Sequence, residues 1–202
     1  MWKRFFGSKT TPQPYITIVS GLPRSGTSMM MRMLEAGGMA AMADHIRQPD
    51  ADNPQGYYEF EPVKTLKTDA SFLEHMPGKA IKIVSMLLYD LPRDKHYKIL
   101  FMQRNMEEIL ASQKIMLQRT GTSSQKDDQE MGRLFAQHLR EVVAWLAQQE
   151  NMQTLYVNYN AVLAAPKPYA QAVNRFLDKR LRVRQMVAAV EQSLYRNRAT
   201  QG

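Results

Sequence analysis

Hydrophobic and polar positions follow two alternating patterns along the chain. Short apolar runs rich in β-branched residues are typical of buried parallel strands. Longer segments with an apolar residue every third or fourth position are typical of helices with one buried face. The strand-like runs are residues 15–20, 80–85, 97–103 and 154–159. The helix-like segments are residues 27–38, 105–119, 131–146, 166–177 and, as a basic amphipathic helix, about 183–195.

This alternation predicts the fold class. Strands that are separated by helices pair in parallel and are covered by helices on both faces. We therefore expect an α/β fold of three layers, with a central parallel sheet of about four or five strands flanked by helices. A chain of 202 residues without an internal repeat is read as a single domain over residues 1–202. Residues 1–14 form an N-terminal extension, and the polar segment 119–130 is predicted to be a mobile loop.

Composition narrows the class of protein. The fractions of hydrophobic and charged residues, 44% and 23%, are ordinary for a globular domain. No segment approaches the roughly 18 apolar residues of a membrane span, and the N-terminus lacks the apolar core of a signal peptide, so we expect a cytoplasmic protein. The absence of cysteine excludes disulfides, thiolate zinc sites and a cysteine nucleophile. The net charge of +8 favours an anionic ligand, and no nucleic-acid-binding module is recognisable.

The segment "GLPRSGTS", residues 21–28, lies between the first predicted strand and the first predicted helix. Its glycines let the backbone approach a ligand closely. The amides at a helix N-terminus bind anions, and Arg24, Ser25 and Thr27 add further donors. A plain turn with a solvated arginine is the alternative. We favour a phosphate-binding loop because glycines, hydroxyls and positive charge coincide in one turn.

Two features indicate which phosphate ligand this loop holds. The G-x-x-x-x-G spacing is that of a P-loop, but Thr27 stands where loops that bind nucleoside triphosphates have lysine. The third predicted strand leads into Arg104 rather than into an aspartate that would hold magnesium. The three-layer α/β domain is therefore expected to be a P-loop fold that binds phosphate without a metal ion.

Two motifs give the chain a resemblance to a known family. "GLPRSGTS" resembles the 5′-phosphosulfate loop of sulfotransferases that use 3′-phosphoadenosine 5′-phosphosulfate (PAPS). "ILFMQRNMEEILAS" resembles their 3′-phosphate site, in which an arginine ends a strand and a serine follows eight residues later, here Arg104 and Ser112. The alternatives are a surface ion pair of Arg104 with Glu107 or Glu108, and a serine that is merely part of a helix.

The resemblance extends beyond these motifs. "NPQGYYEFEPV" and "LYVNYNAVLAAPKPYAQAVNRFL" are similar to passages in bacterial and other family members, so the likeness covers residues 15–177. The C-terminal glycine-rich cofactor loop of the family is absent. "QSLYRNR" stands in its place, where Arg196 is either a cofactor contact or part of a solvated basic tail.

The resemblance implies transfer of a sulfuryl group from PAPS to a hydroxyl or amine. The acceptor would be a small molecule, a lipid or a carbohydrate, and the nucleotide product would be adenosine 3′,5′-bisphosphate (PAP). No metal is required, because a sulfuryl group carries less negative charge than a phosphoryl group. The implied cofactor-binding residues are Pro23, Arg24, Ser25, Gly26, Thr27, Ser28, Arg104, Ser112 and Arg196.

The same resemblance suggests the catalytic residues. Arg24 and Lys82 would lie near the bridging oxygen of the donor. Val84 stands where cytosolic members have their histidine base, so the proton acceptor is expected to be Glu59, as in Golgi-type members. Glu61 and His45 are the alternative bases.

Two other classes of protein remain open. One is a small-molecule kinase or another P-loop phosphotransferase, which would bind a nucleotide with magnesium. The other is a non-catalytic protein that binds nucleotides or anions, in contact with a membrane surface through the basic C-terminal helix.

Overall fold

The computed structural model describes residues 14–44, 57–119, 127–178 and 181–190. The candidate residues His45 and Arg196 lie outside the described residues, as do residues 1–13 of the N-terminal extension and residues 120–126 of the predicted loop.

Four parallel strands form the sheet in the described part of the chain. They are β1 (Tyr15–Gly21), β2 (Ala80–Lys82), β3 (His96–Gln103) and β4 (Met152–Asn158), in the order β2-β1-β3-β4. Every neighbouring pair is parallel, as the sequence predicts. The predicted strand 80–85 is too long, because the chain leaves the sheet after Ile83 donates to Val19 O. It then forms the 3-10 helix Ser85–Asp90, which buries Ser85 and Leu88.

Six α-helices accompany the strands in the described residues. Asn105 precedes α2, and its side chain accepts a hydrogen bond from the Glu107 amide at 2.8 Å, so it caps the N-terminus of this helix. The predicted loop 119–130 is too long, since α2 includes residue 119 and α3 begins at Asp128. Helix α6 ends at Ala188, and residues 191–195 of the predicted C-terminal helix lie outside the described residues. The helices are α1 (Thr27–Ala36), α2 (Met106–Arg119), α3 (Asp128–Leu146), α4 (Tyr159–Ala164), α5 (Pro166–Phe176) and α6 (Val183–Ala188).

Both faces of the sheet are buried, which confirms the three-layer architecture. Alternate residues of the strands point to opposite faces. Val19 and Leu100 contribute to one apolar cluster, with the methionines of α1 and residues of α4, α5 and α6. Ile18 and Ile99 contribute to the other, with α3 and the 3-10 helices. In the described part of the chain, no helix combines the length and the apolar character that crossing a bilayer requires.

The strand order also indicates where a ligand binds. The connection after β1 leads to β2 on one side, whereas the connection after β2 returns to β3 on the other side of β1. Open α/β sheets bind ligands at the carboxyl ends of their strands, at the point where the strand order reverses. That point lies between β1 and β3 here. The predicted phosphate-binding loop within residues 21–28, called the phosphate loop from here on, follows β1. Arg104 follows β3.

Candidate functional site

The phosphate loop combines two left-handed residues with the start of α1. The backbone φ angles are 69° at Arg24 and 97° at Gly26. Gly26 is the N-cap residue of α1, without a side-chain cap. The first amides of a helix have no partner within the helix, and a turn of this kind directs them towards one point. The loop therefore presents backbone donors to an anion at the positive end of the helix dipole.

Ser25 shows that the loop is suited to a polar ligand. The residue is 1% exposed, and its hydroxyl has no hydrogen-bond partner among the described residues. A buried hydroxyl in this state destabilises the fold unless a ligand or a water molecule supplies the missing hydrogen bond. Gly21 is required beside it, because a Cβ there would lie 2.5 Å from Ser25 Oγ and 2.6 Å from Met102 O.

The two motifs recognised in the sequence are in direct contact. Arg24 Nε donates to Ser112 Oγ at 2.8 Å, across 88 positions of the chain. Arg104 Nη1 donates to Arg24 O at 3.0 Å, across 80 positions. The phosphate loop and the segment from Arg104 to Ser112 therefore form one site at the carboxyl ends of β1 and β3.

Arg104 lies in a buried polar network rather than at the surface. Its Nε donates to Glu108 Oε2 at 2.9 Å, with 7% of the arginine side chain and 3% of the glutamate side chain exposed. The predicted alternative of an ion pair with Glu108 is thus correct in its partner and wrong in its surface location. The other carboxylate oxygen of Glu108 accepts from Asn160 Nδ2 at 2.9 Å. The guanidinium lies 4.6 Å from the centre of the Tyr159 ring.

The candidate catalytic pair is found at the end of β2. The Lys82 ammonium donates to the carbonyl of Tyr57 and lies 3.9 Å from Glu59 Oε1. Ser28 Oγ donates to the same carbonyl at 3.2 Å. Residues from three parts of the sequence therefore meet beside the phosphate loop. The Glu59 side chain is 40% exposed, so its carboxylate is accessible from solvent.

Comparison with known proteins identifies the family of this chain. The family model described as "Sulfotransferase domain" matches residues 15–200. The chain belongs to the sulfotransferase domain family. A search of curated proteins gives no significant match to this sulfotransferase domain.

Solved structures share the fold of this sulfotransferase domain. The sulfotransferase domain from the curacin biosynthetic pathway is 15% identical, with a TM-score of 0.55 over 91% of this chain and 80% of that chain. The domain from the Synechococcus PCC 7002 olefin synthase is 12% identical, with a TM-score of 0.54 over 94% and 82%. Mouse sulfotransferase SULT7A1, complexed with PAP, is 15% identical, with a TM-score of 0.53 over 95% and 68%. At these identities the likeness shows the fold alone.

The structure separates the two glutamates that were candidates for the base of this sulfotransferase domain. Glu61 is the first residue of the 3-10 helix Glu61–Thr65, and its carboxylate accepts from Lys64 Nζ at 2.7 Å. Its backbone amide donates to Asp44. Glu59 is the one that lies beside Lys82.

Sequence reasoning named Glu108 as a partner of Arg104 but missed two other residues of the candidate site, Tyr159 and Asn160. Glu108, Tyr159 and Asn160 form the buried surroundings of Arg104. Tyr159 was assigned to the fourth strand, but it is the first residue of α4. Burial raises the pKa of the Tyr159 hydroxyl, and the Arg104 charge opposes this shift. The available signal was the position of Tyr159 and Asn160 directly after a strand of a parallel sheet, at the edge where the phosphate loop lies.

Val84 and His138 both lie next to the start of the 3-10 helix Ser85–Asp90. Val84, at the position of the family's histidine base, precedes the 3-10 helix Ser85–Asp90. His138 lies on α3, where its Nε2 is 2.9 Å from Ser85 Oγ and its ring packs edge-on against Tyr89. Burial lowers the pKa of His138. His138 is therefore half-buried in a packed cluster with Ser85 and Tyr89.

Proposed function

We propose that this domain transfers a sulfuryl group from PAPS to a hydroxyl or amine of an acceptor molecule. The observation that carries the proposal is the direct contact of the phosphate loop with Arg104 and Ser112. Two groups suited to phosphate thereby meet at the ligand-binding edge of the sheet, as a donor with a 5′-phosphosulfate and a 3′-phosphate requires. Family membership supports the reaction class, and mouse SULT7A1 and retinol dehydratase were both crystallised with PAP.

The residues of the site fit such a donor. The loop from Pro23 to Gly26 would hold the 5′-phosphate through the backbone amides of Arg24 and Gly26, because Pro23 has no N–H and the Ser25 amide donates to Leu22 O. The amides of Thr27 and Ser28, in the first turn of α1, would add to these donors. Arg104 and Ser112 would hold the 3′-phosphate through charge-assisted and neutral hydrogen bonds. The buried hydroxyl of Ser25 supports this fit, because a polar ligand at the loop is positioned to complete its hydrogen bonding.

The same geometry supports roles for the catalytic candidates. PAPS supplies the sulfuryl group, which leaves its phosphate when the acceptor oxygen or nitrogen bonds to sulfur. Arg24 and Lys82 would stabilise the negative charge that develops on the leaving phosphate. Glu59 would accept the proton of the acceptor. The 3.9 Å separation of Lys82 and Glu59 supports this division of roles, because it places a cation and a proton acceptor side by side.

Nucleotide-dependent thermal stability tests the proposal. A ligand that binds only the folded state stabilises it by about 2.7 kcal/mol at 100 times its Kd, which corresponds to a rise in Tm of about 5–10 °C for a domain of this size. We expect PAP to produce this rise without magnesium, and ATP with magnesium to produce little or none. A larger rise with magnesium and ATP would refute the sulfotransferase assignment and favour the phosphotransferase.

A second experiment identifies the acceptor. The domain is incubated with PAPS labelled in its sulfuryl group and with a cell extract, and the labelled products are then identified. A labelled small molecule, lipid or carbohydrate would name the acceptor class. Binding of PAP without labelling of any product would instead favour a non-catalytic nucleotide-binding protein.

A further inference from the structure

Arg24 has a backbone conformation that needs support from its surroundings. Its φ of 69° lies in the left-handed region, which is unfavourable for any residue with a Cβ. Such residues persist where neighbouring groups hold them in place. The carbonyl of Arg24 accepts from Arg104 Nη1 at 3.0 Å, and its Nε donates to Ser112 at 2.8 Å. Both contacts originate from the segment between Arg104 and Ser112.

Arg104 is in turn oriented by Glu108. The carboxylate accepts from Arg104 Nε at 2.9 Å and from Asn160 Nδ2 at 2.9 Å, so each of its two oxygens has a defined partner. Because the guanidinium is planar, fixing its Nε also fixes the direction in which Nη1 donates. Stacking at 4.6 Å over the Tyr159 ring further restricts that plane.

We infer that Glu108 is a positioning residue of the 5′-phosphosulfate loop. It acts through Arg104, which it directs to the Arg24 carbonyl, and so maintains the left-handed conformation on which the shape of the loop depends. The inference rests on the proposed function for the identity of the loop's ligand. It means that Arg104 supports binding at the 5′ end of the nucleotide, in addition to its proposed contact with the 3′-phosphate.

A positioning role and a simple charge effect predict opposite changes in nucleotide affinity when the charge of Glu108 is removed. A carboxylate near a phosphate site repels the phosphate, so removing its charge would strengthen nucleotide binding if charge alone mattered. A positioning role predicts weaker binding. It also predicts weaker binding of adenosine 5′-monophosphate (AMP), which has no 3′-phosphate for Arg104 to contact.

The test compares E108Q with E107Q by calorimetry with AMP and with PAP. The two variants lose the same charge at adjacent positions of α2, but Glu107 is exposed whereas Glu108 is buried in the network. We expect E108Q to weaken the binding of both nucleotides by about ten- to a hundredfold, the effect of one lost hydrogen bond to a charged group. E107Q should bind both like the wild type. Unchanged or tighter binding of AMP by E108Q would overturn the inference.

A measurement without nucleotide separates this inference from the proposed function. Hydrogen exchange of the loop amides in the ligand-free protein should be faster in E108Q than in the wild type and E107Q, because the loop has lost its support. Equal exchange in all three proteins would overturn the positioning role. A wild-type protein that binds neither nucleotide would refute the proposed function, while the exchange rates would still decide whether Glu108 holds the loop.

A second variant covers the case in which E108Q does not fold. R104K keeps the positive charge that would attract the 3′-phosphate, but a lysine cannot donate in a fixed plane to Glu108 and to the Arg24 carbonyl together. We expect R104K to weaken AMP binding by a factor similar to that of E108Q. Wild-type affinity of R104K for AMP would contradict the inference.

Discussion

Replacing Gly26 by alanine tests how tightly the phosphate loop packs against the start of α4. The φ of 97° is in the left-handed region, where a residue with a Cβ costs about 1–2 kcal/mol. A Cβ at Gly26 would also lie 2.2 Å from Tyr159 Cδ2 and 2.8 Å from Cε2, so the buried ring would have to move. An extra carbon forced into a packed region typically costs about 1–3 kcal/mol. We therefore expect the free energy of unfolding to fall by about 2–5 kcal/mol.

Gly78 offers a matched control for the backbone part of this effect. Its φ is 81°, also left-handed, but a Cβ built there has no atom within 4 Å. Gly78→Ala should therefore cost only the backbone term of about 1–2 kcal/mol. The difference between the two variants isolates the clash with the Tyr159 ring.

Urea unfolding, followed by circular dichroism, measures both variants. The difference of about 1–3 kcal/mol corresponds to roughly 2–12 °C in Tm for a domain of this size. Because Tyr159 stacks on Arg104, Gly26→Ala should also weaken PAP binding, whereas Gly78→Ala should not. Equal stabilities of the two variants would show that the ring yields without cost, and the packing argument would be wrong.

Two further predictions concern the proton acceptor and the half-buried histidine. Glu59→Gln should lower turnover by roughly a hundredfold, while Glu61→Gln should have a smaller effect on turnover. If Glu61→Gln or His45→Ala is inactive instead, the substituted residue is the base. Full activity of all three variants would refute a base among these residues. Burial lowers the pKa of His138 in the folded state below the ordinary value of 6.5. As the pH falls below 6.5, the unfolded state therefore binds a proton before the folded state does, and the free energy of unfolding decreases. Unfolding free energies between about pH 7.5 and 5.5 should therefore decline less in His138→Gln than in the wild type, and equal declines would contradict this assignment.

The pattern of apolar residues was sufficient to predict the layers of the fold but not all element ends. Strands β1 and β3 are central and buried, so their sequences are mostly apolar, and their predicted limits agree with the structure to within one residue. Strand β2, at one edge of the sheet, is shorter than the predicted strand 80–85. Ile83 and Val84 are as apolar as a strand, but they lead into a 3-10 helix whose burial depends on contacts with distant parts of the chain.

The site was predictable only where its residues form a local motif. The phosphate loop and the segment from Arg104 to Ser112 are each a continuous stretch of sequence, so each could be recognised directly. The contact of Tyr159 with Arg104 depends instead on strand register. Gln103 pairs with Asn158 in the sheet, so the residues that follow them leave β3 and β4 side by side. Nothing in the local sequence near Tyr159 specifies that pairing.

The pairing of β1 with β3 has a consequence for the order of events in folding. Tyr15 lies opposite His96, with the whole of α1 and β2 between them in the chain. Contacts between such distant segments form slowly, because a long loop must close before they stabilise anything. During synthesis at about 5–20 residues per second, the phosphate loop leaves the ribosome several seconds before Arg104 does. A nascent chain therefore carries the loop without the arginine that contacts the Arg24 carbonyl. For the same reason, recovery of nucleotide binding during refolding would report the docking of β3 on β1 rather than the formation of α1.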